Sequence, residues 1–315
     1  MLLAGAPTAG GAQAGADQAT LFLLLPLSAR GIAVGQAMMT VGGTSDALWW
    51  NPAGLASVRR REVSLHHSQS VVGTGEALAL VAPLGRLGVA TVGVNVLDFG
   101  GDIPAVDNQG NVVGKILPRN LALVGSLARS LGPHARVGVA YKQVQFRFDC
   151  EGLCPSIPTS RSATPALDAG LQVDLPSRIP MSFGAAIRNV GVRLPADSLA
   201  ARDALPPRLQ AGVSARYRLP ARYANDAEVL VALDLVDDLP VRRPLPRIGV
   251  QLGWERRAFL RAGYVVTSGT SESAGPTLGM GVVARRVVID FARVLAGLSA
   301  DAGQAPTYLS LRIRL

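Results

Sequence analysis

The feature that most constrains the fold is an alternation of apolar and polar residues that recurs along the chain after residue 61. In the segment 208–219, leucine, alanine, valine and tyrosine at odd positions alternate with arginine, glutamine, glycine and serine at even positions. A period of two places the two classes on opposite faces of a β-strand. Similar splits occur in 167–175, 247–255 and 309–315. Each such strand therefore needs an apolar environment on one face and a polar environment on the other.

Glycine, proline and polar clusters divide this region into short predicted strands. The fourteen predicted strands span 62–71, 76–84, 87–98, 119–129, 135–149, 165–175, 180–191, 207–219, 227–236, 246–255, 258–267, 276–284, 286–294 and 306–315. Several are about ten residues long, the length that a tilted strand needs to cross the hydrocarbon layer of a membrane.

The connections between these strands alternate in length, as in outer-membrane barrels, which have short periplasmic turns and longer external loops. Two links fit less well, since the external loop 72–75 is short and the turn 220–226 is long. A soluble β-sandwich or propeller is the alternative, but its connections should not alternate in length. The sequence therefore predicts an all-β fold in which residues 62–315 form a closed antiparallel transmembrane barrel of about fourteen strands.

Composition argues against helices as the membrane-crossing elements. Hydrophobic residues make up 49% of the chain, yet no stretch approaches the roughly 18 apolar residues of a spanning helix. The most apolar run, Leu21 to Leu27, is short and contains Pro26.

The net charge of +9 comes almost entirely from arginine, because Lys115 and Lys142 are the only lysines. The arginines are scattered along apolar segments and form no basic helix or patch interleaved with aromatic residues, which argues against nucleic acid as a partner. Outer-membrane lipid and lipopolysaccharide, or a polar barrel lumen, fit the scatter better. Arginines on ordinary solvated faces are the alternative that the charge pattern leaves open.

Two short features concern export. Residues 1–14 resemble the end of a secretory signal, with an Ala12-Gln13-Ala14 cleavage pattern but no charged start, and they predict export through the Sec pathway. Cys150 and Cys154 are a candidate loop disulfide of an oxidising compartment. Two free thiols are the alternative, and a lone CxxxC without further ligands makes a poor zinc site.

Residues 15–61 follow no strand period and are dense in glycine and alanine. The segment ends in the motif Trp49-Trp50-Asn51-Pro52-Ala53-Gly54-Leu55-Ala56. This stretch resembles the N-terminal signature of the PorV/PorQ family of outer-membrane proteins, which belong with the FadL-type barrels. The resemblance is closest from Asn51 to Ala56, and it loosens at Val34-Gly35-Gln36-Ala37, where the family usually reads Gly-Met-Gly-Gly.

The resemblance implies that residues 15–61 fold inside the barrel as a plug, or hatch. A barrel of this strand number encloses a lumen too wide for its own side chains to fill, so water or a plug must occupy it. Asn51-Pro52 suits a tight turn within the plug. Glycines that would allow close approach to the wall are Gly31, Gly35, Gly42, Gly43 and Gly54. The alternative is a helix and loop leading into the sheet, with Trp49 and Trp50 as ordinary core residues.

The chain shows no pattern that indicates an enzyme. His66, His67 and His134 are too few and too badly spaced for a metal site, and there is no phosphate-binding loop or nucleophile elbow. We therefore expect neither catalysis nor a metal nor another cofactor. The polar residues on the strands are expected to face the lumen as a ladder of charges. They are Asp168, Arg188, Arg208, Arg216, Asp234, Arg261, Asp290 and Arg312.

The resemblance implies two functions that the sequence alone does not separate. One is the passage of a hydrophobic or small amphipathic solute across the outer membrane of a Gram-negative cell, past the plug. The other is a partner role in a type IX-like secretion system, docking exported protein cargo. A structural surface barrel with a sealed lumen is the third hypothesis.

Overall fold

A computed structural model describes most of the predicted barrel region and much of the segment before it. The described residues are 21–100, 103–107, 109–153, 161–191, 205, 207–220, 226–238, 243–267, 274–297, 300 and 303–315. The predicted signal remnant, residues 1–14, lies outside them, as does the start of the predicted plug.

The described strands follow one another along the chain from residue 62. They are β1 Glu62–Ser70, β2 Gly73–Pro83, β3 Val89–Asp98, β4 Ile103–Val106, β5 Val112–Leu131, β6 Ala135–Gly152, β7 Arg161–Leu175, β8 Met181–Gly191, β9 Arg208–Arg218, β10 Ala227–Asp238, β11 Leu245–Trp254, β12 Ala258–Val265, β13 Gly275–Ala284, β14 Val287–Val294 and β15 Thr307–Arg314. All strand pairs are antiparallel, so they can be joined by simple turns.

The sheet closes into a barrel of fourteen strands. β1 pairs with β15, with Glu62 opposite Arg314, and β3 pairs with β5, with Val89 opposite Ala128. The short β4 pairs only with the early part of β5 and stands outside the ring. The closed antiparallel barrel predicted from the sequence is confirmed.

The strand boundaries differ from the prediction mainly between residues 103 and 161. β4 lies where the sequence predicts no strand, and β5, β6 and β7 are longer than predicted. Residues 112–117 of β5 contain no buried side chain, and residues 149–152 of β6 contain none either. Because neither face of these extensions is covered, their residues lack the alternation by which the other strands were recognised.

The two faces of the wall have opposite chemistry. On β9, Arg208, Gln210 and Ser214 are buried, whereas Leu209 and Tyr217 are exposed. Exposed large apolar side chains continue around the ring, among them Val92, Val139, Leu167, Leu233, Val250, Leu278, Ile289 and Leu309. A soluble monomer rarely exposes so extended an apolar surface. The outer face therefore matches a hydrocarbon environment.

The helices are short and lie mostly before the first strand. The α-helices are α1 Ala29–Ala33 and α2 Ala47–Trp50, and the 3-10 helices are Leu21–Leu24, Pro52–Ser57 and Gly85–Leu87. Within the described ranges, no helix has both the length and the apolar character needed to span a membrane.

Residues 21–58, called here the N-terminal segment, contact buried side chains of strands around the ring. Three apolar clusters form these contacts. Met38, Met39, Leu48, Trp50 and Leu55 pack with the buried faces of β2, β3, β5 and β6. Phe22 packs with Leu97, Val144 and Phe146, and α1 packs with Ala292, Val294 and Tyr308 of β14 and β15. The core of the molecule therefore lies between this segment and the inner face of the strands.

Candidate functional site

The Asn51-Pro52 motif is fixed to the wall by hydrogen bonds and by close backbone packing. The Asn51 side chain accepts a hydrogen bond from the Ala53 N–H at 3.1 Å, and its Nδ2 donates to the Met39 and Leu171 carbonyls at 2.8 and 3.1 Å. Pro52 begins the 3-10 helix, where its missing N–H costs nothing. A Cβ at Gly170 would collide with the Asn51 amide oxygen. The motif thus requires a glycine on the facing strand β7.

The glycines of the N-terminal segment divide into two groups. Gly35, at φ +58°, lies against the backbone of Ile248 and Tyr264 and so makes the predicted close approach to the wall. Gly42 lies against Gly54 and also faces Gln172 of the wall. Gly31, Gly43 and Gly54 face only other residues of the segment, so the predicted approach to the wall does not hold for these three.

Three wall strands hold the backbone around Met39. Asp234 on β10 accepts hydrogen bonds from the Met39 N–H at 3.0 Å and from Gln210 at 2.8 Å. Gln172 on β7 donates to the Met39 carbonyl at 2.8 Å. Because buried backbone groups are costly to leave unpaired, these side chains specify where the segment sits.

A cluster of buried ionisable side chains joins Asp46, the residue before α2, to strands β1, β12, β14 and β15. We call Asp46, His66, Arg261, Asp290 and Arg312 the Asp290 cluster. The Asp290 carboxylate accepts from Arg261 and Arg312, each at 2.7 Å, and all three side chains are buried. Arg312 also lies 3.7 Å from Asp46 of the N-terminal segment. Burial of the carboxylate and guanidinium groups is tolerated because each lies near a group of opposite charge.

Two sets of hydrogen bonds beside the Asp290 cluster add to the attachment. Ser310 accepts from the Ala29 N–H at 2.9 Å and lies 2.8 Å from His66 Nδ1. Glu62 accepts from the Ser45 N–H and hydroxyl at 2.8 and 2.6 Å. The start of both α-helices is therefore bonded to β1 and β15.

A second buried cluster lies on β6, β7 and β8, and we call Lys142, Asp168, Arg188 and Asn189 the Lys142 cluster. Lys142 Nζ lies 2.7 Å from Asp168 and donates to Asn189 Oδ1 at 2.8 Å. Arg188 donates to the Trp49 carbonyl at 2.7 Å and lies over the Trp50 ring. Asn189 has φ +58° next to a register shift in β7. The N–H of Asn189 donates a hydrogen bond to Asp168, and this bond helps to hold the strained backbone conformation of Asn189.

The predicted lumenal charges are connected in part, because Arg188 of the Lys142 cluster donates to Gln210 and Gln210 donates to Asp234; Arg261, Asp290 and Arg312 lie together in the Asp290 cluster. The buried members are Asp168, Arg188, Arg208, Asp234, Arg261, Asp290 and Arg312. Arg216 is exposed, and its N–H donates to the Pro180 carbonyl at the short-turn end of the barrel. Arg216 occupies an inward-facing position of the alternation, but the N-terminal segment does not extend far enough toward the short-turn end of β9 to cover it.

Sequence reasoning missed several buried wall residues. Gln172, Gln210, Ser214 and Ser310 bond to the segment, and Lys142 bonds to Asp168 and Asn189 beside it. A signal existed for Lys142, since it is one of two lysines and falls in the inward phase of β6. Serine and glutamine at inward positions gave no comparable signal, because such residues are equally common on solvated faces.

Small enclosed cavities lie beside the N-terminal segment. One of about 30 Å³ is bordered by Leu23 to Leu27, the two tryptophans and the basic side chains of Lys142, Arg188 and Arg208. Another of about 20 Å³ lies beside Phe22 and Leu97. Spaces of this size hold about one water molecule each.

Cys150 is disulfide-bonded at the end of β6. Cys154, its predicted partner, lies outside the described residues, and the pairing stays a prediction. His66 and His67 point to opposite faces, as the strand period requires, and His67 pairs with Glu76 at 2.6 Å on the exposed side.

No family model matches the chain, and no curated protein matches it. Solved structures do match. The toluene transporter TodX of Pseudomonas putida has a TM-score of 0.56 at 13% identity, covering 90% of this chain and 96% of that one. The toluene transporter TbuX of Ralstonia pickettii has a TM-score of 0.57 at 14% identity, covering 91% and 98%.

A FadL homologue of Pseudomonas aeruginosa has a TM-score of 0.51 at 12% identity, again covering 91% of this chain and 98% of the other. At such identities the likeness establishes the barrel fold, and function requires separate arguments.

Proposed function

We propose that this chain is an outer-membrane barrel that passes hydrophobic or small amphipathic solutes past a plug formed by residues 15–61. The observation that carries the proposal is the N-terminal segment, packed among the inner faces of a closed barrel whose outer face is apolar. The fold that the chain shares with toluene transporters supports transport, as opposed to catalysis, as the role.

The hydrogen bonds to the wall divide the segment into two parts. Residues 28–57 are held by side-chain contacts with β7, β8, β9, β10 and β15. Residues 21–27 are held in the described structure by apolar packing, such as that of Phe22 edge-on to Phe146 with 5.9 Å between ring centroids. We infer that residues 21–27 are the part that moves, because non-directional contacts can be exchanged for contacts with an apolar solute.

Solute passage in this proposal requires that movement, since the enclosed cavities hold about one water molecule each. A solute that displaces Leu23 to Leu27 enters a space between Trp49 and Lys142. The leucine side presents apolar surface, and the basic side chains beyond it suit a solute with a polar end.

Uptake measurements in Gram-negative cells test the proposal, because toluene crosses a plain phospholipid bilayer without a protein. The full chain and a variant lacking residues 21–27 are produced in cells without other hydrocarbon channels, and entry of toluene and of a small sugar is measured. We expect toluene entry with the full chain and faster entry with the variant. Deleting residues 103–109, an equally long piece around β4 outside the ring, controls for the damage that a deletion causes and should leave the flux unchanged. Absence of flux from every form, with the barrels folded, contradicts transport.

A second candidate is a partner role of the PorV/PorQ kind in a type IX-like secretion system. The close packing of the N-terminal segment against the wall favours it, because docking needs no passage. The external segments that would carry cargo, including 154–160 and 192–204, lie outside the described residues. A folded barrel without flux that binds an exported protein of the same cell supports this role, and one that does neither supports a structural barrel.

Export through the Sec pathway, contact with lipopolysaccharide and a Cys150–Cys154 bond belong to the same proposal. Each follows from an outer-membrane location, where disulfides persist and lipopolysaccharide is present. Fractionation of cells that produce the full chain tests the location directly: recovery without detergent in a soluble fraction contradicts it.

A further inference from the structure

The outer face of β11–β14 carries a groove of about 590 Å³. Its lining is mainly outward-facing apolar side chains on these four strands, with Ala262 between larger neighbours. The apolar members are Val250, Leu252, Leu260, Ala262, Leu278, Met280, Phe291 and Leu295. The volume falls within the range of about 300–1,000 Å³ typical of small-molecule sites.

On the inner face of the same four strands, the backbone of the wall lies directly against the N-terminal segment. Gly249, Gly263 and Gly279 face inward, and a Cβ at any of them would collide with residues 33–35 of the N-terminal segment. Inward glycines let the wall lie directly on that backbone. The groove occupies the opposite, outer side of this contact.

Arg293 joins the groove to a second pocket of different chemistry. Its side chain is exposed on the outward face of β14 and borders both the groove and a polar pocket of about 250 Å³. Gln69, Ser70, Gln304 and Thr307 line that pocket. Amide and hydroxyl groups of this kind suit the hydroxyls of a sugar.

Arg293 also stands at a boundary along the strands. One step toward the short-turn end, its outward neighbours are Phe291 and Leu309. At its own level, Thr307 lies opposite Arg293 and Gln69 lies opposite Thr307. Apolar surface on one side, a lone cation at the edge and polar groups beyond it match a lipid at the membrane surface.

We infer that the apolar groove, Arg293 and the polar pocket together bind one molecule of lipid A. An acyl chain lies in the groove, a phosphate pairs with the Arg293 guanidinium, and the glucosamine hydroxyls contact the polar pocket. Arg293 is near the long-loop end of β14, which is the external end by the alternation of loop lengths. The inference rests on the proposed outer-membrane location, but the site needs no solute passage, so its failure and the failure of transport are distinguishable.

The test is titration of the full chain, in non-ionic detergent, with purified bisphosphorylated lipid A, followed by native mass spectrometry. Arg293→Gln should weaken binding by about tenfold or more, the loss expected for one charge-assisted hydrogen-bonded pair. Ala262→Trp should also weaken binding, because it fills the groove and leaves the cation. Arg129→Gln removes an exposed arginine at the opposite end of the barrel and serves as the matched control.

Dephosphorylated lipid A should bind the unmodified protein as weakly as lipid A binds Arg293→Gln. Equal binding by Arg293→Gln and the unmodified protein overturns the inference, as does an equal loss with Arg129→Gln or no effect of Ala262→Trp. Equal competition by phosphatidylglycerol overturns the assignment to lipid A. Gel migration with and without heating shows that each variant barrel is folded.

Discussion

At the scale of single residues, the attachment of the N-terminal segment depends on a few buried polar groups whose partners come from distant parts of the chain. Asp290 shows the principle, since its carboxylate is fully buried and accepts hydrogen bonds from two guanidinium groups at once. Removal of a shared partner leaves charges without compensation, which costs more than the pair itself contributes.

We therefore expect Asp290→Asn to lower the free energy of unfolding by about 3–5 kcal/mol. Urea unfolding in detergent, followed by tryptophan fluorescence, measures it. Asp98→Asn is the control, because Asp98 pairs with Arg119 at 3.0 Å on an exposed surface, where such pairs contribute about 0–1 kcal/mol. Similar losses in both variants would contradict the role of the Asp290 cluster.

A glycine substitution tests the seat of the Asn51-Pro52 motif. Gly170→Ala places a methyl group on the Asn51 amide oxygen and the Pro52 ring, so we expect faster amide hydrogen exchange at residues 39–53. Gly125→Ala is the matched control, because a Cβ there meets nothing within 4 Å. Unchanged exchange in Gly170→Ala would show that the motif tolerates displacement.

At the scale of strands, the alternation of apolar and polar residues that first indicated the barrel predicts that a charge on the outer, lipid-facing side destabilises it. Leu233 lies on β10 with 42% of its surface exposed, between the buried Ala232 and Asp234. Leu233→Arg should destabilise the barrel by about 2–4 kcal/mol in phospholipid vesicles. Leu87→Arg, in the exposed turn before β3, should change stability little. The measurement is reversible urea unfolding in vesicles, and equal effects would argue against a lipid-facing wall.

The strand scale also shows why prediction from sequence succeeded or failed. β9 to β15 were found close to their observed bounds, because one face of each meets apolar surroundings and the other faces buried polar groups. Residues 112–117 were missed since no face there is distinguished by burial, and β4 was missed because its four residues are too few to show an alternation. Burial of single residues depends in addition on what lies opposite. Arg208 and Arg216 both occupy inward-facing positions of β9. Arg208 is buried beneath the N-terminal segment, whereas Arg216 is exposed because the segment does not cover it.

Lys142, Gln172 and Gln210 show the remaining limit of sequence reasoning. Their inward phase follows from the strand period. Their partners, Asn189 and Asp168, the Met39 carbonyl and Asp234, depend on cross-strand register and on the path of the segment. Neither can be read from a local pattern.

At the scale of the whole molecule, closure leaves no open edge in the ring of fourteen strands. In a membrane an unpaired edge would leave backbone groups without partners, which hydrocarbon cannot supply. A variant lacking residues 307–315, and so all of β15, should therefore give no folded band that shifts on heating in gel electrophoresis. Deletion of Leu315 alone should leave the band in place. A folded truncated form would show that the ring can close without β15.

The hydrogen bond from Ala29 to Ser310 joins residues 281 positions apart. The ribosome synthesises the N-terminal segment of this protein first and the last of the strands that enclose it at the end. Contacts of such wide sequence separation form slowly. The leucines and tryptophans of the N-terminal segment therefore stay exposed until the last strands have been synthesised. We therefore expect assembly of this protein to require a chaperone that binds these exposed side chains during that interval, because its core is synthesised before its wall.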